Sequence, residues 1–474
     1  MILGRQSSES GPRMRCWLPT AAATLALAIA IPAVAQGPGP QPARAQPATT
    51  VPLNPQDVRI HRVLDQLTTA EKVALLHGDF NSGGVPRLKI KPLLMADGPV
   101  GVRLNFETTA KRSTALPATL ALAATWDRGM ADRYAAVLAE EMLALDRHVL
   151  FGPGINMMRD PRGGRNFEYM GEDPFLTAEM GVAYVGGLQR NGVAATLKHY
   201  VANEAERFRH YTDSVVDPVA LNEVYLYPFF RGLRAGAWAL MTSNNATNGR
   251  HMGESRELVR SMLRDRMGWD GVVLTDWRSA YRVEESAPAG IDMTLGLSNY
   301  VYGDHLADFV ASGAWPMSAL DAQVTNVLRL YDRVGLLGGN RAKGEIATAA
   351  HARVAKQTVS ASSTLLKNTD VLPYTGRGAV LVTGPGAEQV MFGGGSGNVN
   401  NGEGNISLLK GLTEALGASR IVRAESPGAA PELVVYAVNG VSQHEDHDQP
   451  GIALDSQQIA EIRARGDAIG GILS

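Results

Sequence analysis

The sequence predicts an α/β protein: a (β/α) barrel followed by a second, smaller α/β unit with too few strands to be complete. Three observations carry this reading. Short apolar segments alternate with amphipathic helical ones, the order that builds a parallel sheet with crossover helices. Most of the apolar segments stop at a polar residue, and the carboxyl ends of strands are where such a barrel gathers a site. The alternation runs from Asp57 to about Gly338, which suits one barrel of roughly 250 residues.

The elements follow in order. Arg13 and Arg15 precede an apolar run, Leu18 to Ala30, that ends in Pro32-Ala33-Val34-Ala35. Basic residues, an apolar stretch and an Ala-x-Ala end predict a secretory signal peptide over 1–35, with Met14 an alternative start. The expected location is therefore periplasmic or secreted. Cys16, the single cysteine, would leave with the signal, so neither a disulfide nor a thiol nucleophile is expected in the mature chain. Residues 36–56, rich in Pro, Gln and Ala, read as a flexible leader.

From Asp57 a helical period sets in, with Val58, Val63, Leu64 and Leu67 on one face, and Ala70 to Leu76 continues it. Gly83-Gly84 and Pro86 break the pattern. Five apolar segments then stop at polar residues or at glycine and proline: Leu93–Ala96 at Asp97, Val149–Phe151 at Gly152-Pro153-Gly154, and Ala194–Leu197 at Lys198-His199. The others are Ala239–Met241 at Thr242-Ser243-Asn244 and Val272–Thr275 at Asp276-Trp277. Residues 57–338 are the expected barrel and 339–356 a linker. A second unit over 357–474 has strands at Ala379–Val382 and Leu433–Val438 and helices at Leu408–Leu416 and Gln457–Arg465. So small an open sheet predicts a domain incomplete relative to its own architecture.

Hydrophobic residues make up 45% of the chain and charged residues 19%, enough apolar content for a large core. The formal net charge of −2 gives nothing to recruit nucleic acid or an anionic membrane, and a neutral or weakly polar ligand fits better. Beyond the signal, no stretch is long and apolar enough to span a bilayer. Oligomeric state stays open.

Four segments could carry chemistry. Asp276 ends a buried strand beside an aromatic neighbour, which suits a carboxylate nucleophile; capping the next helix is the other use of such an Asp. Lys198-His199 could reach two hydroxyls and keep a nearby carboxylate ionised, or form a surface ion pair beside a satisfied core histidine. The run Arg159 to Glu168 is dense in Arg and Gly, as a binding loop or a solvated salt-bridge cluster. Asp97 in Asp97-Gly98-Pro99 is a turn residue or a hydroxyl acceptor. The loop Gly393-Gly394-Gly395-Ser396-Gly397 lacks the Gly-Lys-Ser/Thr end of a phosphate-binding loop. The run His444 to Asp448 offers metal-type ligands but reads more simply as a polar loop.

Taken together, these segments resemble glycoside hydrolase family 3, in order and over nearly the whole mature chain. The resemblance is carried by Leu94 to Arg103, by Arg159 to Pro174, by Lys198-His199-Tyr200-Val201-Ala202-Asn203 and by Gly268 to Trp277. Ala289 to Met293 and Leu365-Leu366-Lys367-Asn368 with Leu372-Pro373 complete it. It implies a (β/α) barrel followed by an incomplete α/β sandwich domain, and a retaining β-glycosidase of the β-glucosidase type. Such an enzyme needs two carboxyl groups roughly 5 Å apart and no metal or organic cofactor.

Carried over residue by residue, the resemblance makes Asp276 the nucleophile and Glu445 the general acid/base, with Asp97, Arg165, Lys198, His199 and Trp277 around the sugar and Arg162 a weaker candidate. It implies a small β-linked carbohydrate as partner. Lys198 and Arg165 should favour ionised Asp276, and Glu445 should have a raised pKa so that it starts protonated. Two departures stand out. Asn244 occupies a place where the family commonly has tyrosine, and Gln443 to Asp448 only loosely matches Gly-Glu-Gly-x-Asp-Arg. A catalytically impaired carbohydrate-binding homologue or fragment, and a glycoside phosphorylase on the same fold, remain alternatives.

Overall fold

A computed structural model describes residues 55–104, 112–296, 301–402, 404–423, 431–438, 443–464 and 471–473. The expected signal peptide over 1–35, and the leader up to residue 54, lie outside the described residues. Residues 55 and 56 already belong to the helix Pro55–Leu64. Its buried face is Ile60 and Leu64, while Val58 is exposed. The expected stripe through Val58 is therefore shifted, because the helix stops at Leu64 and a new one begins. Thr68 starts that second helix, Thr69–Ala74, with a capping box: its side chain accepts from the Glu71 N–H, and the Glu71 carboxylate accepts from the Thr68 N–H.

The barrel strands are β1 (His77–Gly78), β2 (Met95–Asp97), β3 (Val149–Phe151), β4 (Ala194–Tyr200), β5 (Ala239–Thr242), β6 (Val272–Leu274) and β7 (Thr294–Leu295). Strands β2 to β6 form one parallel sheet in sequence order. A parallel Leu274–Met293 bridge joins β6 to the segment leading into β7. β7 pairs with β1, and an antiparallel Asn81–Leu94 bridge returns the ring to the start of β2. β2 to β6 are buried along their length, as parallel strands covered by helices on one side and a packed interior on the other must be. The helices Arg128–Ala144 and Pro174–Gln189 pack side by side on the outside of this ring.

The apolar periods place β2 to β6, with one difference that matters; the two-residue strands β1 and β7 carried no such signal. β4 runs on through Tyr200, so Lys198 and His199 lie inside the strand rather than after it. Adjacent strand residues ordinarily face opposite sides. Here the register with β5 shifts between Leu197 and Tyr200, and the irregularity lets both side chains turn toward the same site.

The second domain is an α/β sandwich layer with its own small core. β8 (Leu365–Asn368) pairs antiparallel with β12 (Gly471–Leu473). β9 (Val380–Thr383) sits between β10 (Ile421–Val422) and β11 (Leu433–Tyr436), all parallel. The helix Leu408–Leu416 covers this sheet, and Val380, Val382, Ala387 and Leu409 form the core. The stretch expected as linker is partly helical: Ala349–Ser362 is one helix across residue 356. Its His351 bonds to Glu141 (2.9 Å) and Glu140 (3.1 Å). The buried Glu141 also accepts from Ser113, Thr114 and the Ala347 N–H, so this helix is held to the barrel. Among the described residues no helix is long and apolar enough to cross a membrane.

Candidate active site

Four strand ends and two loops of the second domain meet at one place. Asp97 ends β2, Lys198 and His199 lie near the end of β4, Asn244 follows β5 by two residues, and Asp276 follows β6 by two. Lys198 Nζ lies 3.2 Å from Asp97 Oδ1 and 3.1 Å from Glu168 Oε2. Arg165 Nε donates to Glu168 Oε1, and Arg165 also reaches Glu445 Oε1 at 3.3 Å. Glu445 Oε1 accepts a 2.6 Å hydrogen bond from the Ser396 N–H, and Ser396 Oγ bonds to Glu168 Oε2 at 2.9 Å. The structure thus joins Asp97, Arg165, Lys198 and Glu445 in one network through Glu168. Arg162 stays outside it, in an exposed pair with Asp160.

Asp276 sits beside this network. Its Oδ2 accepts a 2.7 Å hydrogen bond from Asn244 Nδ2, and His199 Nε2 is 3.6 Å away. Its Oδ1 accepts from the Trp277 N–H at 2.7 Å. It caps no helix, since the next helix begins at Val283. The Trp277 indole donates to Asp79 Oδ1 (2.6 Å) and packs against Phe80 and Phe151, with ring centroids 4.7 and 5.7 Å away.

The charge pattern reverses the expectation for Glu445 and outweighs the one for Asp276, where Arg165 does favour the ionised form but burial acts more strongly. Burial raises the Asp276 pKa to about 6, although Arg209, Arg165 and the Trp277 N–H pull it down. Burial also acts upward on Glu445, but Arg165, Lys198, Arg209 and the Ser396 N–H outweigh it and hold this carboxyl well below the usual range. In the free site Glu445 therefore carries its charge firmly, and Asp276 holds its proton more readily than an ordinary aspartate. The physical reason is the fold: the second domain delivers Glu445 into the cations that were expected to serve Asp276.

Lys198 stays charged because Asp97 and Glu168 overcome the cost of its burial. His199 is different. Burial, with Arg165, Lys198 and Arg209 nearby, drives its pKa well below the ordinary 6.5. It is neutral, so of this pair Lys198 alone carries the charge that can keep a nearby carboxylate ionised.

Three participants escaped sequence reading. Glu168 sat in the arginine-rich run, but only its burial between Arg165 and Lys198 marks it. Ser396 lay in the glycine loop that was weighed for phosphate; its N–H points instead at Glu445. Arg209 carried no local signal. It pairs with Glu206 (2.9 Å) and Asp446 (2.8 Å), lies 3.9 Å from Glu445, and exerts the largest charge effect on Asp276. Among the described residues no three His, Cys, Asp or Glu side chains are grouped to hold a metal ion. Buried donors and acceptors around two carboxyls suit a polyhydroxylated, uncharged ligand.

Comparison with known proteins gives the same picture from outside. Residues 81–330 match the glycosyl hydrolase family 3 N terminal domain, and residues 363–467 match the family 3 C-terminal domain. A probable beta-glucosidase I of Aspergillus clavatus is 37% identical over 373 residues, covering 74% of this chain and 44% of the relative. A beta-glucosidase of Bacteroides ovatus is 35% identical, covering 77% of this chain and 53% of its own length. The chain thus spans about half the length of the curated relatives it matches. Among solved structures, beta-glucosidase 3B of Thermotoga neapolitana in complex with alpha-D-glucose superposes with a TM-score of 0.79 at 25% identity, over 88% of this chain and 71% of that one. A family 3 beta-glucosidase of Bifidobacterium adolescentis superposes with a TM-score of 0.77 at 26% identity, over 85% and 61%.

Proposed function

This chain belongs to glycosyl hydrolase family 3, and from that premise we propose that it is an exo-acting, retaining β-glycosidase releasing terminal β-D-glucosyl or related residues. The observation that carries the reading is the meeting of two carboxyls from separate domains, Asp276 and Glu445, around the shared cations Arg165 and Arg209. The names and the bound glucose of the relatives support a glucoside as substrate.

In this reading Asp276 attacks the anomeric carbon while Glu445 protonates the departing oxygen. The covalent glycosyl-enzyme is then hydrolysed by a water that gives its proton to Glu445, which restores both groups. Asp97, Lys198, Arg165 and His199 hold sugar hydroxyls, and Trp277 flanks the ring. Asn244 and the Trp277 N–H stabilise ionised Asp276. The reactive form is the one in which Glu445 holds a proton and Asp276 is ionised. No cofactor enters the scheme. We place the protein in the periplasm or outside the cell on the strength of residues 1–35.

The test is aryl release from a chromogenic β-glucoside by the chain lacking residues 1–35, beside Asp276→Ala, with the product anomer read by NMR. Release by the parent alone, with β-glucose formed first, is the expected result. Sugar binding without turnover in a folded parent overturns the reading in favour of an impaired binding homologue. Cleavage that depends on phosphate overturns it in favour of a phosphorylase.

A further inference from the structure

Glu445 sits on a second-domain loop, and the bonds that hold this loop's backbone to the barrel are made by its neighbours. The Asp448 carboxylate accepts three backbone N–H bonds from two different barrel loops: from Gly164, Glu206 and Arg207, all at 3.0 Å. The adjacent Gln449 N–H donates to the Arg162 carbonyl at 2.8 Å. From the barrel side, Glu206 Oε2 accepts the Asp446 N–H at 2.9 Å. The fit is close. A Cβ at Gly164 would stand 2.0 Å from the His447 carbonyl oxygen and 2.3 Å from that of His444. Those two carbonyls bracket Glu445, so Gly164 is the contact that lets the loop come down.

We propose that Asp448 is the positioning residue that sets Glu445 over Asp276, with Gly164 as its counterpart on the barrel. Backbone N–H bonds to a carboxylate are charge-assisted and directional, and three of them from two loops fix a loop in both height and rotation. Glu445 is three residues away, too near to keep its place if this anchor is lost. The loop then transfers its proton badly even though Glu445 itself is present. A 1 Å misplacement of a catalytic group costs about 10²-fold.

This inference rests on the reading of Glu445 as the general acid/base, and the test separates the two. In the first step the C1–O bond to the leaving group breaks as Asp276 forms its own bond to C1, and the departing oxygen takes a proton from Glu445. A 2,4-dinitrophenolate departs as a stable anion and needs no proton; a plain phenolate does. In the second step azide attacks C1 without needing a base, displaces Asp276 and yields a β-glycosyl azide.

The experiment measures kcat and kcat/KM on phenyl and on 2,4-dinitrophenyl β-glucoside, with and without azide, for full-chain Glu445→Ala, Asp448→Ala, Asp448→Asn and Gly164→Ala. Thermal melting checks that each is folded. For Glu445→Ala, Asp448→Ala and Gly164→Ala the phenyl substrate should fall by about 10²-fold or more, the usual worth of general acid catalysis. The dinitrophenyl substrate should stay within about fivefold, and azide should raise turnover and yield glycosyl azide. Asp448→Asn keeps one acceptor oxygen and should recover part of the loss. If Glu445→Ala shows this signature while the folded Asp448 and Gly164 variants lose both substrates equally, or lose neither, the positioning role is overturned. If Glu445→Ala loses both substrates equally, the acid/base reading falls and the inference falls with it.

Discussion

Asn244 Nδ2 donates a 2.7 Å hydrogen bond to Asp276 Oδ2, at a place where the resemblance led us to expect a tyrosine. The asparagine does more than fill space, because it is one of two donors to a buried carboxyl whose pKa is already pushed up to about 6. A donor to a carboxylate favours the charged form.

Asn244→Ala should therefore raise the Asp276 pKa further. A bond to a charged group is worth about 1.5–3 kcal/mol, or about one to two pKa units. On 2,4-dinitrophenyl β-glucoside, whose leaving group needs no proton from Glu445, the acidic limb of the kcat/KM profile, near pH 6 in the parent, should move to higher pH by about that much, and activity at pH 6 should fall roughly tenfold. Activity measured from pH 4 to 9 checks this; an unmoved limb assigns it to another group.

Lys198 is buried between Asp97 and Glu168. Lys198→Met should remove the cation that Asp97 and Glu168 share, leaving Glu168 with Arg165 alone. Removing one partner of a buried charge cluster costs about 3–5 kcal/mol. Urea unfolding at pH 7 should show a lower midpoint than in the parent.

Asp79 holds Trp277 by its indole N–H at 2.6 Å. Asp79→Ala should free the ring that we propose flanks the sugar. KM should rise about tenfold, in line with the loss of a charge-assisted bond, with kcat changed far less. A fall in kcat with KM unchanged would place the role of Asp79 in the chemical step instead.

The Glu141–His351 contact should make stability depend on pH. The folded His351 pKa is raised from 6.5: burial works against this, and hydrogen bonds to Glu141 and Glu140 outweigh it. Its contribution is complete below 6.5 and is lost as pH rises through the folded value. The folded Glu141 pKa is lowered from 4.5, since bonds from His351, Ser113 and Thr114 outweigh its burial. Its contribution is complete above 4.5 and is lost as pH falls through the folded value. The melting difference between the parent and His351→Ala should be largest from about pH 4.5 to 6.5 and shrink on the alkaline side.

By itself the sequence determined the barrel and its rim. Short apolar periods that stop at Asp97, Lys198-His199, Asn244 and Asp276 are local patterns, and burial of a parallel strand leaves its end as the one place for a polar residue. What the tertiary structure decided was charge and company. Glu168, in the segment between β3 and β4, pairs with a lysine on β4, and Ser396 and Glu445 arrive from the second domain. Arg209 reaches the site from a loop beyond β4 with no signal in its neighbours. His199 loses its charge because burial and three cations act on it together. The low pKa of Glu445 and the raised pKa of Asp276 arise the same way, since a buried group's proton affinity depends on every charge packed around it and on how far water is excluded. Neither quantity exists until segments hundreds of residues apart are brought into contact.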